Sequence, residues 1–156
     1  MEGGCTCGTV RYRLTSEPIV VHCCHCRWCQ RESGAAFALN AVIEAPRVEL
    51  LGEPPERIDT PSASGKGQAV FRCPECKVAV WSHYAGAGEA ASFIRVGTLD
   101  DPDAWPPDVH IFTDSKQPWV VLPEDAEAFP IFYTGTDVVR LYGEKGASRW
   151  KALRES

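Results

Sequence analysis

Eight cysteines in 156 residues, gathered into three short groups, restrict this chain more than any other feature. Cys5 and Cys7 lie in GGCTCG, Cys73 and Cys76 in CPEC, and four more lie in HCCHCRWC. Within the last, Cys24, Cys26 and Cys29 form C-x-C-x-x-C, a spacing that lets three thiolates converge on one metal ion. The two flanking pairs supply four further sulfurs from distant parts of the chain. This predicts an outer site closed by four sulfurs and an inner site with three sulfurs and a free position. A disulfide-stapled secreted domain is the competing reading of an even cysteine count. The N-terminus, MEGGCTCGTVRYRL, lacks the charged-then-apolar pattern of a secretory signal. No apolar run is long enough to span a bilayer. The expectation is therefore a cytoplasmic protein, where thiols stay reduced and close pairs bind metal.

The rest of the chain predicts a mainly β fold, a single domain of short antiparallel sheets organised around the two zinc-cysteine sites. Twelve prolines and thirteen glycines imply frequent turns and leave little room for long helices. Alternation of apolar and polar residues marks strands at Thr9–Leu14 and Phe37–Ile43, and a strand from Ile19 runs straight into the cysteine cluster. Further extended stretches are expected at Val48–Leu50, Ala69–Arg72, Val78–Tyr84, Ser92–Leu99, Val109–Phe112 and Trp119–Leu122. Gln30–Ser33 before Gly34 reads as one helical turn. Glu53–Gly67, rich in Pro, Ser and Gly, reads as a connection with a strand at Arg57–Asp59. Loops and short pieces follow Glu124, with a terminal helix near Ser148–Arg154. If the strand from Ile19 persists through Cys26, its period of two puts His22, Cys24 and Cys26 on one face and Cys23 and His25 on the other.

Zinc takes four tetrahedral ligands and favours thiolates, so Cys5, Cys7, Cys73 and Cys76 suit a structural ion. Three cysteines with one open vertex suit a catalytic ion. A closed inner site would need Cys23, His22 or His25 as fourth ligand; alternation disfavours Cys23 and His25 and leaves His22 open. Three thiolates donate so much charge that a bound water is acidified little, which makes hydrolysis a poor fit. An incoming thiol suits such an ion better, held as a thiolate nucleophile. That predicts carbon–sulfur bond formation or cleavage with a small electrophile such as an aldehyde. Two rivals are a zinc-stabilised binding module without turnover and a redox pair at Cys26 and Cys29. A net charge of −5 with no basic tail argues against nucleic acid as partner.

GGCTCG, CHCRWCQRESGAAF, CPEC and HIFTDSKQPW together resemble the glutathione-dependent formaldehyde-activating enzyme family, which includes centromere-protein-V relatives. The resemblance implies a zinc-binding domain over residues 3–125, with 126–156 as a C-terminal extension packed on it. It implies a structural zinc at Cys5, Cys7, Cys73 and Cys76 and a catalytic zinc at Cys24, Cys26 and Cys29. The implied activity joins formaldehyde to glutathione as S-hydroxymethylglutathione, the reverse of a carbon–sulfur lyase reaction. Gln30 stands where the family often carries a basic residue, with Arg31 next. Glutathione has two carboxylates, so Arg27, Arg31 and Lys116 are candidate substrate cations, Trp28 a candidate pocket wall, and His110 a candidate acid/base.

Overall fold

The computed structural model describes residues 1–155. Chain order runs β1 (Glu2–Gly4), β2 (Arg11–Leu14), β3 (Val20–Cys24), α1 (Arg27–Ser33), β4 (Ala38–Glu44), β5 (Val48–Leu50), β6 (Glu56–Thr60), β7 (Gln68–Arg72), β8 (Ala79–Tyr84), β9 (Ala91–Arg95), β10 (Val109–Ile111) and α2 (Val138–Glu155). β1, β2 and β5 form a three-stranded sheet, and the others a seven-stranded sheet ordered β10-β3-β4-β9-β8-β7-β6. The expectation of purely antiparallel sheets is corrected at one edge, because β10 pairs with β3 in parallel. A parallel neighbour needs a long crossover. The 13 residues between β9 and β10 provide it, carrying the chain from the middle of the sheet to its edge.

The large sheet is buried on both faces. On one, Val10, Tyr12 and Leu14 of the small sheet's segment pack against Val21, Ala41, Ile43, Trp81 and Ile94. On the other, Val20, Cys24, Val42 and Val109 pack against Tyr133, Leu141, Tyr142 and Trp150 of the C-terminal segment. Alternation therefore sorts each strand between two cores, and central strands read as nearly continuous apolar runs.

Several boundaries differ from the expected ones. β1 forms in a glycine-rich stretch with no strand pattern, held by pairing with Arg11–Arg13. α1 begins at Arg27, because Cys26 caps it by accepting a hydrogen bond from the Cys29 N–H at 3.3 Å. Gly34 ends it in the left-handed region at φ 67°, a conformation glycine enters without steric cost. Residues 119–122 form no strand; Trp119 and Val121 are 70% and 89% exposed, too little burial to hold an edge. α2 starts ten residues earlier than Ser148 and is broken at Gly143, φ 66°. Its second half approaches the sheet closely: a Cβ at Gly146 would lie 3.2 Å from the Ile19 carbonyl oxygen. Among the described residues no helix is long and apolar enough to cross a membrane.

Arg149 clamps that helix to the sheet, donating from Nε to Glu44 Oε1 at 2.8 Å and from Nη2 to Glu44 Oε2 at 2.5 Å. Both side chains are about 15% exposed. Burial pushes the Glu44 carboxyl up, but its bonds with Arg149 outweigh that and leave its pKa below 4.5. A depressed carboxyl stabilises the fold above its ordinary pKa, and the contribution is lost as pH falls through the folded value. Glu44→Gln should cost about 2 kcal/mol at pH 7. In urea titrations, the gap between variant and parent should close below about pH 4.

Candidate metal and thiol site

The GGCTCG turn and the CPEC knuckle meet. Cys5 Sγ and Cys7 Sγ are 3.5 Å apart, and Cys7 Sγ and Cys73 Sγ 3.6 Å. With Cys76, all four sulfurs lie within 4.8 Å of one another. A tetrahedron of sulfurs about 2.3 Å from a zinc ion has edges of roughly 3.8 Å, and a disulfide would need about 2.05 Å. The spacing suits a shared metal, and none of the eight cysteines is in a disulfide. Backbone N–H groups reinforce both knuckles: Val10 donates to Cys5 Sγ at 3.3 Å and Glu75 to Cys73 Sγ at 3.4 Å. Cys7, beside Thr9 Oγ1 at 3.3 Å, is lowered to about 6 chiefly by that contact.

A second group stands at the end of β3, where Cys24, Cys26 and Cys29 bring three sulfurs within 4.8 Å of one another. No fourth His, Cys, Asp or Glu of the described residues joins them. Cys24 comes from the strand, Cys26 from the helix cap and Cys29 from the first turn of α1. Bonds with Cys24 and Cys29 hold the Cys26 thiol down, and bonds with Cys26 and Cys29 push Cys24 up. Three convergent sulfurs are a donor set fitted to a divalent cation.

The three alternative fourth ligands are held elsewhere. His22 Nε2 is 2.7 Å from Tyr133 Oη, and burial lowers the His22 pKa to about 4. Cys23 and His25 join His110 in a third group, all buried. His25 Nε2 is 3.0 Å from His110 Nδ1 and 3.5 Å from Cys23 Sγ. The two imidazoles stack at 5.3 Å between centroids. His25 is lowered to about 4 by burial first and then by His110 and Lys116, so both rings are neutral near pH 7. His110 thus stands with Cys23 and His25, across the sheet from the three-cysteine group.

The knuckle is tied down by Gln30. Its Nε2 donates to the carbonyls of His25 at 2.7 Å and Ser115 at 3.0 Å, while Oε1 accepts from Arg27 Nη1 at 2.9 Å and Gln117 Nε2 at 3.2 Å. Every amide donor and acceptor is used, which a lysine or arginine there would not reproduce. Beside it opens a cavity of about 690 Å³ lined by Arg27, Gln30, Arg31, Ala36, Gln117 and Trp119. Of the four candidate substrate residues, Arg27 and Arg31 line it; Trp28 and Lys116 do not. Lys116 Nζ donates to the Val120 carbonyl at 2.6 Å. Gln117 and Trp119 join the cavity unforeseen, because only the tertiary placement of their loop brings them to α1.

A match to the glutathione-dependent formaldehyde-activating enzyme family covers residues 1–115, about three quarters of the chain, with all eight cysteines inside it. The chain belongs to that family. A Halomonas elongata protein named for the same glutathione-dependent formaldehyde-activating activity is 27% identical over 125 residues, 77% of this chain and 79% of that protein. A crystal structure of a Rhodobacter sphaeroides protein is 17% identical, covering 64% of this chain and 88% of the other, with a TM-score of 0.49. The family name points to a formaldehyde-activating role that uses glutathione. The glutathione-dependent formaldehyde-activating family match ends at residue 115, before Gln117 and Trp119, so part of the cavity wall lies beyond it.

Replacing Gln30 with Leu should strand Arg27, Gln117 and two carbonyls. A loss of about 2–3 kcal/mol is expected, read from urea unfolding of the metal-loaded protein.

Proposed function

We propose that this protein is a zinc-dependent enzyme of the carbon–sulfur lyase type, forming or cleaving an S-hydroxymethyl adduct of glutathione or another small thiol. The observation that carries this reading is the three-sulfur group with no fourth His, Cys, Asp or Glu donor among the described residues, beside a separate group that has four. A structural metal would use Cys5, Cys7, Cys73 and Cys76; a catalytic one would use Cys24, Cys26 and Cys29. When bound at the three cysteines, zinc supplies a Lewis acid that favours the deprotonated form of an added thiol.

The chain's own part is to orient and shield. Cys24 and Cys29 are buried and Cys26 is half-buried, so water has restricted access to the trio. We assign Arg27 and Arg31, which line the cavity beside α1, to the carboxylates of a peptide thiol. Trp28, 40% exposed, and Lys116, both outside that cavity, are the further proposed substrate contacts; His110, across the sheet with Cys23 and His25, is left out of the proposed proton transfer. In the forward direction the thiol sulfur attacks the aldehyde carbon. A C–S bond forms, the carbonyl π pair moves to oxygen, and that oxygen takes up the proton the thiol released. No redox partner is needed. Eight cysteines without a disulfide suit a reducing, cytoplasmic setting.

Zinc-loaded protein should carry two ions per chain, and Cys29→Ala should carry one. NMR of glutathione with formaldehyde should show faster adduct formation with the parent protein and none above background with Cys29→Ala. Arg27→Ala with Arg31→Ala should raise KM several-fold and change kcat little. Two metals with no acceleration would instead support the zinc-stabilised binding module.

A further inference from the structure

Arg95 shares a sheet face with the three-cysteine group. Cys24 pairs with Ala38, and Asn40, two residues along the same strand, pairs with Arg95. Cross-strand partners and i, i+2 neighbours lie on one face, so Cys24, Asn40 and Arg95 project to the same side. The guanidinium donates to Asn40 Oδ1 and to Ser82 Oγ, the latter at 2.9 Å. Asn40 is 3% exposed and Ser82 fully buried. Both partners are neutral.

Arg27 likewise donates to a buried neutral amide, Gln30, whereas Arg72 and Arg149 meet the carboxylates of Glu32 and Glu44. Among the described residues no carboxylate lies within ion-pair distance of Arg95. Across β4 from it, on the same face of the sheet, stands Cys24 of the three-cysteine group. A half-buried cation with only neutral partners is unfavourable unless an anion is close. Three thiolates around a divalent ion carry a net charge of about −1, and an added thiolate makes it about −2.

We propose that Arg95, locked in place by Asn40 and Ser82, is the counter-cation of the inner three-cysteine group: a positioning residue that offsets the charge of its metal-loaded form and of the thiolate that joins it. This rests on the reading that the group holds a divalent metal. It assigns to β9 a role in thiol capture that no cysteine spacing reveals.

The test compares the parent with Arg95→Gln, which keeps a hydrogen-bond donor without the charge, and Arg95→Lys, which keeps the charge. Zinc affinity at each site is measured by chelator competition. Arg95→Gln should weaken the inner site about tenfold, equivalent to one pKa unit of lost charge interaction. The outer four-sulfur site should be unchanged, and Arg95→Lys should recover most of the loss. In cobalt-loaded protein, glutathione should perturb the sulfur-to-cobalt absorption at about tenfold higher concentration in Arg95→Gln than in the parent; S-methylglutathione should leave it unperturbed. Parent-like inner-site affinity in Arg95→Gln overturns the assignment, as does equal weakening of both sites. If the parent's absorption ignores glutathione while the inner-site loss persists, Arg95 keeps its role and the enzymatic reading fails.

Discussion

β3 is hydrogen-bonded on both edges, to β4 in antiparallel and to β10 in parallel register, and the three-cysteine group depends on that constraint. Pairing fixes the alternation of its side chains, and a slip by one residue would exchange its faces. With the register held, Cys24 faces the core shared with the C-terminal segment, while Cys23 faces His110. Only then can α1, capped by Cys26, fold back to present Cys29 to the same side as Cys24. The trio is a product of one strand, one cap and one helical turn.

Charge is distributed unevenly around this arrangement. Ion pairs such as Arg11–Asp100 and Arg13–Glu2 decorate the small sheet at the surface, where solvent leaves them little energetic weight. The interior polar groups are mostly neutral: His22, His25 and His110 are held unprotonated by burial, and Asn40, Ser82 and Gln30 are hydrogen-bonded amides or hydroxyls. A thiolate centre in such surroundings has few counter-charges to draw on. Arg95 is the cation we assign to this face, where His22 is neutral; His25 and His110 lie on the other side.

The C-terminal segment completes the fold by covering that face of the sheet. Tyr133 reaches His22 and packs edge-on to Tyr142, which packs edge-on to Trp150. This chain of rings closes one end of the face, and α1 closes the other. Gly143 breaks the terminal helix so that its second half can lie against Ile19 at Gly146 while Arg149 reaches Glu44. Without this layer, Val20, Val42 and Val109 would face water, at a cost of about 1.5–3 kcal/mol for each side chain fully exposed.

The sequence by itself determined the sulfur groupings, because metal-binding knuckles are local: C-x-C, C-x-x-C and their glycine and proline neighbours carry their own turn geometry. It also determined most strands, since period-two alternation records a half-buried surface directly. The separation of Cys23 from Cys24 followed from the same period; β3 ends at Cys24, so Cys26 joins the trio as the cap of α1 rather than by strand alternation. β1, the parallel pairing of β10 and the irregular course of Trp119–Leu122 were decided only by tertiary structure, because each depends on which partner edge or core is available. So were the meeting of His25 with His110, the cavity wall at Gln117 and Trp119, and the isolation of Arg95 from carboxylates. Those are contacts across tens of residues, and no local periodicity encodes them.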